Sequence, residues 1–171
     1  TINNSIISNS REWGLAFIDT DYSLITYTEV NTSGPSGPAL FMAMDADGNN
    51  VSHNRFYSNA SADEAVEISD DCGAQYLFNN SFVVSSGISL NLYRDDGSNT
   101  IVDNDFTGGT VMIDSSPNNV FSGNNLSNPG NYPLTLYRGG VSFHTLFVGD
   151  YFDGTDVFVR SEHEGTVNFT N

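Results

Sequence analysis

The chain has no lysine and a single cysteine among its 171 residues. Its five basic residues are all arginines, Arg11, Arg55, Arg94, Arg138 and Arg160, against 21 aspartates and glutamates. The formal charge is −16 and the isoelectric point lies near 4.1. So few cations cannot build the basic patch that neutralises phosphates, which excludes nucleic acid as a partner. One cysteine excludes an internal disulfide, and Cys72, with no adjacent histidine, reads as a small buried apolar residue. No apolar run approaches a transmembrane span, so membrane insertion is not expected. No stretch carries apolar residues at helical spacing, which excludes an amphipathic helical fold. Charge this high would ordinarily point to disorder. An aromatic content of 12% argues against that, and so does a repeat.

The repeat has a period of roughly two dozen residues. Asn49-Asn50-Val51-Ser52-His53-Asn54-Arg55-Phe56 is echoed by Gln75-Tyr76-Leu77-Phe78-Asn79-Asn80-Ser81-Phe82. It returns as Asn99 to Phe106 and as Asn119 to Leu126. Each copy has an apolar residue, an Asn three positions later and a large apolar residue two beyond that. Weaker copies place Ile2, Ser5 and Ile7, then Ile25, Thr28 and Val30, then Phe147, Asp150 and Phe152, with Val167 and Thr170 as a last partial copy. Between copies stand apolar pairs at i and i+2: Leu15 and Phe17, Leu40 and Met42, Val66 and Ile68, Leu90 and Leu92, Val111 and Ile113, Leu134 and Leu136, Val157 and Val159. That spacing turns one face of a short strand inward. Three short strands per period, joined by Gly, Asn, Asp and Ser, predict a right-handed parallel β-helix solenoid of about seven turns, all-β, in one domain over 1–171. Stacked equivalents would form a column of Phe56, Phe82, Phe106 and Leu126 and a second column of Val51, Leu77, Ile101 and Phe121. Asn54, Asn80, Asn104 and Asn124 would form a polar ladder at a corner, weakened at its ends by Ser5, Thr28 and Asp150. The chain opens and closes inside repeats, and is expected to be a segment of a longer protein.

The pattern of apolar residue, Asn and large apolar residue, with a Gly-led apolar strand before it, resembles the right-handed β-helix repeats of pectin-lyase-like proteins, including carbohydrate-binding and sugar-hydrolase repeat domains. The resemblance covers nearly the whole chain. It implies the fold. Related domains serve as lyases, hydrolases, tailspikes, adhesins and spacers, so it does not select the function.

The residues alternating with the inward pairs face outward. They include Glu67, Asn91, Tyr93, Asp114, Tyr137 and Arg160, with Asp70, Arg94 and Arg138 just after the strands. Leu-Tyr-Arg occurs twice, at Leu92-Tyr93-Arg94 and Leu136-Tyr137-Arg138. Tyr rings stack on apolar sugar faces, and guanidinium forks hold hydroxyl or carboxylate oxygens. The expected ligand-binding set is therefore Glu67, Asn91, Tyr93, Arg94, Asp114, Tyr137, Arg138 and Arg160, and the expected ligand is a glycan or cell-surface polysaccharide. The same residues also suit a cross-strand ladder of ion pairs with no ligand. The favoured function is an extracellular, cell-surface or virion-surface structural protein that binds glycan. Self-association as a trimer or larger assembly fits that role. The alternative is a polysaccharide lyase or glycoside hydrolase acting on an acidic polysaccharide, with Asp70, Asp114 and Glu162 as its carboxyls. Asp45, Asp47, Asp95 and Asp96 lie in acidic turns whose oxygens suit Ca²⁺, but the closing bidentate Glu of a calcium loop is missing, so no cofactor is required. An acidic surplus without lysine resembles the proteomes of salt-loving microbes. Salt would screen its carboxylate repulsion, so adaptation to high salt is expected.

Overall fold

Short alternating strands each have one apolar face and no helix to cover it. Winding the chain so that equivalent strands stack buries those faces against one another. The computed structural model describes residues 1–10, 12–33, 37–58, 64–128, 131–137, 143–154, 156–159 and 165–171. It is a right-handed parallel β-helix. Three parallel sheets run along it, with eight, seven and seven strands. The first sheet runs from Ile2–Asn3 to Gly165–Thr170, the second from Ile6–Ser10 to Tyr151–Asp153 and the third from Leu15–Ile18 to Val157–Val159. Six rises therefore separate the first and last strands of the second and third sheets, close to the expected seven turns.

Register follows the repeat. Ile25, Val51, Leu77, Ile101, Phe121 and Phe147 pair in succession on the first sheet. Val30, Phe56, Phe82, Phe106, Leu126 and Phe152 do so on the second. Phe82 stacks on Phe56 at 5.5 Å and on Phe106 at 4.8 Å between ring centroids, and all three are fully buried. Six inward pairs of the third sheet, from Leu15 and Phe17 to Leu134 and Leu136, stand in register as the alternation predicts. The last strand continues that register, but Val157, expected inward, is exposed there because no coil covers it among the described residues. A second expectation needs correction. The last partial copy is not Val167 and Thr170, because Phe169 pairs with Phe147 and Val167 pairs with Thr145. The Phe147 and Phe169 rings stack at 5.0 Å, and that stacking sets the register.

The Asn ladder is directional. The backbone N–H of Thr28 donates to Asn54 Oδ1, that of Asn54 to Asn80 Oδ1, that of Asn80 to Asn104 Oδ1 and that of Asn104 to Asn124 Oδ1, each at 2.9 Å. Each Nδ2 reaches back to a buried carbonyl: Asn54 to Ile25, Asn80 to Val51, Asn104 to Leu77 and Asn124 to Ile101. Asp150 does not weaken the end of this ladder. Its carboxylate accepts the Asn124 backbone N–H and Nδ2, both at 2.7 Å, and the Val148 N–H at 3.0 Å. These three donors close the ladder on Asp150, although burial outweighs them and raises its carboxyl pKa. Asn104→Ala would strand the buried Asn80 N–H and the Leu77 carbonyl. We expect it to cost about 2–3 kcal/mol in urea unfolding, because each orphaned buried group costs about 1–3 kcal/mol. A cost within about 0.5 kcal/mol would mean that the ladder bonds are dispensable.

A second ladder runs beside the first. The backbone N–H of Ser23 donates to Asn49 Oδ1, that of Asn49 to Gln75 Oε1, that of Gln75 to Asn99 Oδ1 and that of Asn99 to Asn119 Oδ1. These four residues open the four best copies of the repeat. The corner between the third and first sheets needs the same satisfaction of turn backbone as the other corner does. Gly97 in this corner has φ +70°, and a Cβ there would run into the Pro117 carbonyl, so the close coil-to-coil approach requires glycine.

Candidate ligand-binding face on the third sheet

The outer face of the third sheet gathers most of the expected ligand-binding side chains that are described. Because inward and outward residues alternate, stacking in register lines the outward residues into columns. The central column runs Phe41, Glu67, Asn91, Met112, Thr135, Phe158. Five strand spacings make it about 24 Å long. Beside it run Ser69, Tyr93 and Asp114, followed by Tyr137, whose N–H bonds the Ile113 carbonyl. Glu67, Asn91, Tyr93, Asp114 and Tyr137 thus share one face, as expected. Arg138, Arg160 and Glu162 lie outside the described residues. Asp70 and Arg94 occupy the turn after their strands, both in the left-handed region at φ 52°. The Arg94 guanidinium sits over the Tyr93 ring at 4.8 Å. That contact covers part of the face that a sugar would use.

The face also carries rings outside the expected binding set. Trp13 stacks on Phe41 at 5.0 Å and 15° between planes, and Trp13 is 45% exposed. At the other end Phe158 lies 5.5 Å from Tyr132 and 6.3 Å from Tyr137. Aromatic rings therefore bracket the central column. Phe41 and Phe158 were legible from the same alternation that gave Glu67. Trp13 precedes its strand and had no periodic signal.

Between the rings the column holds one carboxyl, Glu67, with Asn91, Met112 and Thr135, and Asn91 and Thr135 are buried. Burial first, and then the Glu64 carboxylate, push the Glu67 carboxyl up to about 7, with the Ser69 hydroxyl opposing. Asn91 Nδ2 donates to Glu64 Oε1 at 3.2 Å. Asn91 is 6% exposed, and its Oδ1 has no hydrogen-bond donor.

The acidic turns behave differently from the expectation for cations. Met44 and Asp45, then Asp70 and Asp71, take consecutive left-handed conformations. In the next coil only Arg94 does so before the chain turns inward, and Asp95 is carried into the core. There Asn99 Nδ2 donates to Asp95 Oδ2 at 2.6 Å, and Oδ1 has no donor. Burial pushes the Asp95 carboxyl up to about 7 despite Ser116 and Asn99. Asp95 therefore does not join Asp96 in an outward pair. Burial, then Asp71, Asp47 and Asp45, raise the Asp96 carboxyl, so these turns repel one another. Asp47 Oδ1 is taken by the Gly73 N–H at 2.7 Å. No set of three or more His, Cys, Asp or Glu among the described residues is placed to hold a metal ion. Cys72 is buried in this corner, and burial pushes its thiol up to about 11, far from a nucleophile's range.

An open depression of about 230 Å³ lies elsewhere, on the first sheet, lined by Val120, His144, Leu146 and Asn168 among others. His144 Nδ1 is 2.6 Å from Thr166 Oγ1. No expected site residue borders it. The chain matches no family model, no curated protein and no solved structure. Fold and face together define a parallel β-helix protein whose third sheet presents a long aromatic and acidic outer surface.

Proposed function

We propose that this protein is a glycan-binding structural protein of an extracellular, cell or virion surface, as the resemblance of its repeat to carbohydrate-binding β-helix domains suggests. The observation that carries the reading is the outer column of the third sheet. Exposed rings at both ends bracket hydrogen-bonding side chains over about 24 Å, the span of several sugar units along the stacked strands. Rings grip sugar faces, and carboxylate and amide groups between them take hydroxyls. Adaptation to high salt belongs to the same reading, supported by the −16 charge and the facing carboxylates of Asp47, Asp71 and Asp96.

A second reading, sugar hydrolysis, draws on Glu67. A carboxyl raised to about 7 beside a second carboxylate suits proton transfer. New reducing ends on incubation with a bound polysaccharide would favour it.

Replacing Tyr93 and Tyr137 together by serine tests the binding reading. Affinity for surface polysaccharide on a glycan array should fall by about tenfold or more, since each ring lost removes about 1 kcal/mol of contact. The melting temperature should barely move. Intact binding with a lowered melting temperature would make both tyrosines strand residues only.

A further inference from the structure

The strands of the first sheet carry no charge. None of the eight contains an Asp, Glu or Arg. The outer face of the second sheet, by contrast, carries Glu29, Arg55, Asp105 and Asp153, and that of the third carries Glu67 and Asp114. On the first sheet, alternation turns Tyr76 and Phe78 outward on either side of the buried Leu77. The same rule turns Val102, Val120, Leu146 and Val148 outward. Rings continue this apolar stripe toward the N-terminal coils. Tyr27 stacks on His53 at 5.0 Å, His53 meets Phe78 at 5.3 Å, and Phe78 lies 6.0 Å from Tyr76 between ring centroids. Tyr76–Phe78 is the fourth of the eight strands, so the rings reach the middle of the face. Asn50, Thr100 and Ser122 add amide and hydroxyl groups between them. A chain of net charge −16 thus has one long outer face clear of carboxylates, and an exposed apolar stripe of this kind marks a contact surface.

We propose that the outer face of the first sheet is an interface with a second copy of this chain, in a two-fold pair. The inference does not rest on the glycan-binding reading. Charge selects the partner. Two copies meeting through the second or third sheet would set Glu29, Asp105 or Glu67 against like charges, whereas the first sheet brings no carboxylate to the contact. Shape selects the arrangement. The open depression of about 230 Å³ lies over the sixth to eighth strands, at Val120, Leu146 and Asn168, and begins at the corner with the third sheet, at Asn118 and Asn119. Tyr22 stands at that same corner beside the second strand and is 85% exposed. A two-fold axis across the sheet between the fourth and fifth strands sets the second strand of each copy against the seventh of the other. Each Tyr22 corner then meets the other copy's depression. Tyr76 and Phe78 fall near the centre, where buried aromatic residues contribute most to a contact. Seven strand spacings make the face about 34 Å long, and about 15 Å of width gives roughly 500 Å² per copy. That is the low end for a specific pair, so the dimer is a weak one, in the micromolar range. Repulsion between two chains of charge −16 opposes it in dilute buffer, and salt screens that repulsion.

Sedimentation velocity over a concentration series tests the pair, in molar and in dilute salt. It uses the wild-type chain, Thr100→Glu, Tyr22→Ser and Thr107→Glu. Thr100 faces outward on the fifth strand, at the centre of the face. Thr107 is exposed on the second sheet, so its variant adds the same charge elsewhere. Circular dichroism checks that the variants are folded. Should Thr100→Glu fail to fold, Tyr22→Ser decides, since Tyr22 lies outside the strands and the core. The wild type should pass from monomer to dimer below about 100 micromolar in molar salt, and dilute salt should weaken the pair by about tenfold or more. Thr100→Glu should abolish the dimer, and Tyr22→Ser should weaken it by about tenfold. Thr107→Glu should leave it intact. A monomer at every concentration, or a trimer, would overturn the proposal. Equal losses in both glutamate variants would show net charge only and overturn it too. A dimer that neither Thr100→Glu nor Tyr22→Ser weakens would place the contact elsewhere. A monomeric wild type whose capture of polysaccharide on a glycan array is lost in Thr100→Glu would give this face to a sugar chain instead.

Discussion

Phe106→Ala should destabilise the protein by about 3–5 kcal/mol in urea unfolding. Phe106 is fully buried and stacks at 4.8 Å on Phe82, which stacks in turn on Phe56. The cavity would open in the middle of a continuous column, where neighbouring coils are held by register and cannot collapse far. The ring sits on a backbone paired on both sides, to Phe82 and to Leu126. Phe106→Leu should cost much less, because most of the volume remains. An alanine variant within about 1 kcal/mol of wild type would contradict the column.

Acid should stabilise this protein, against the usual behaviour of carboxylates. Glu67 and Asp95 are each pushed up to about 7, chiefly by burial, and burial also raises Asp150 and Asp96. A carboxyl whose folded pKa exceeds its unfolded value favours the folded state fully below the unfolded pKa, near 4. That contribution is lost as pH rises through about 7. Stability should therefore fall between roughly pH 4 and pH 7, in step with growing repulsion among the surface carboxylates. Asp95→Asn keeps an acceptor for Asn99 and removes the buried charge. It should raise stability at about pH 8 by about 2–4 kcal/mol and change it little at about pH 4, from a shift of about three pH units at 1.4 kcal/mol each. Molar salt should raise the melting temperature more at the alkaline end, where the charge is greatest. Stability that climbs from pH 4 to pH 8, or an Asp95→Asn variant weaker at pH 8, would contradict the buried carboxyl.

The core was legible because a strand alternates with a period of two, and because the coil repeats. Val66 and Ile68 could point only one way once Leu90 and Leu92 pointed the same way. The outward set followed from the same rule, which is why Glu67, Asn91 and Tyr93 fell on one face. What escaped was set by contacts that have no period. Trp13 reaches Phe41 from outside the strand. Glu64 finds Asn91 across coils through side-chain length. Asp95 turned inward because its coil takes one left-handed residue where the previous two coils take a pair. Its sequence, Asp95-Asp96-Gly97, looks like that of Asp45-Ala46-Asp47-Gly48, and nothing in composition separates an inward from an outward carboxylate there. The end of the Asn ladder was misjudged for a related reason. In the sequence Asp150 reads as a missing Asn, whereas in the fold its carboxyl takes three N–H donors and continues the ladder.

The central claim is that the outer face of the third sheet receives a sugar chain. Hydrogen exchange measured with and without a saturating polysaccharide selected on a glycan array tests it most directly. Protection should appear in the strands Leu40–Ala43, Glu64–Ser69 and Ile88–Tyr93. Protection confined to the first sheet, around Val120, His144 and Leu146, would place the ligand in the open depression there and contradict the account.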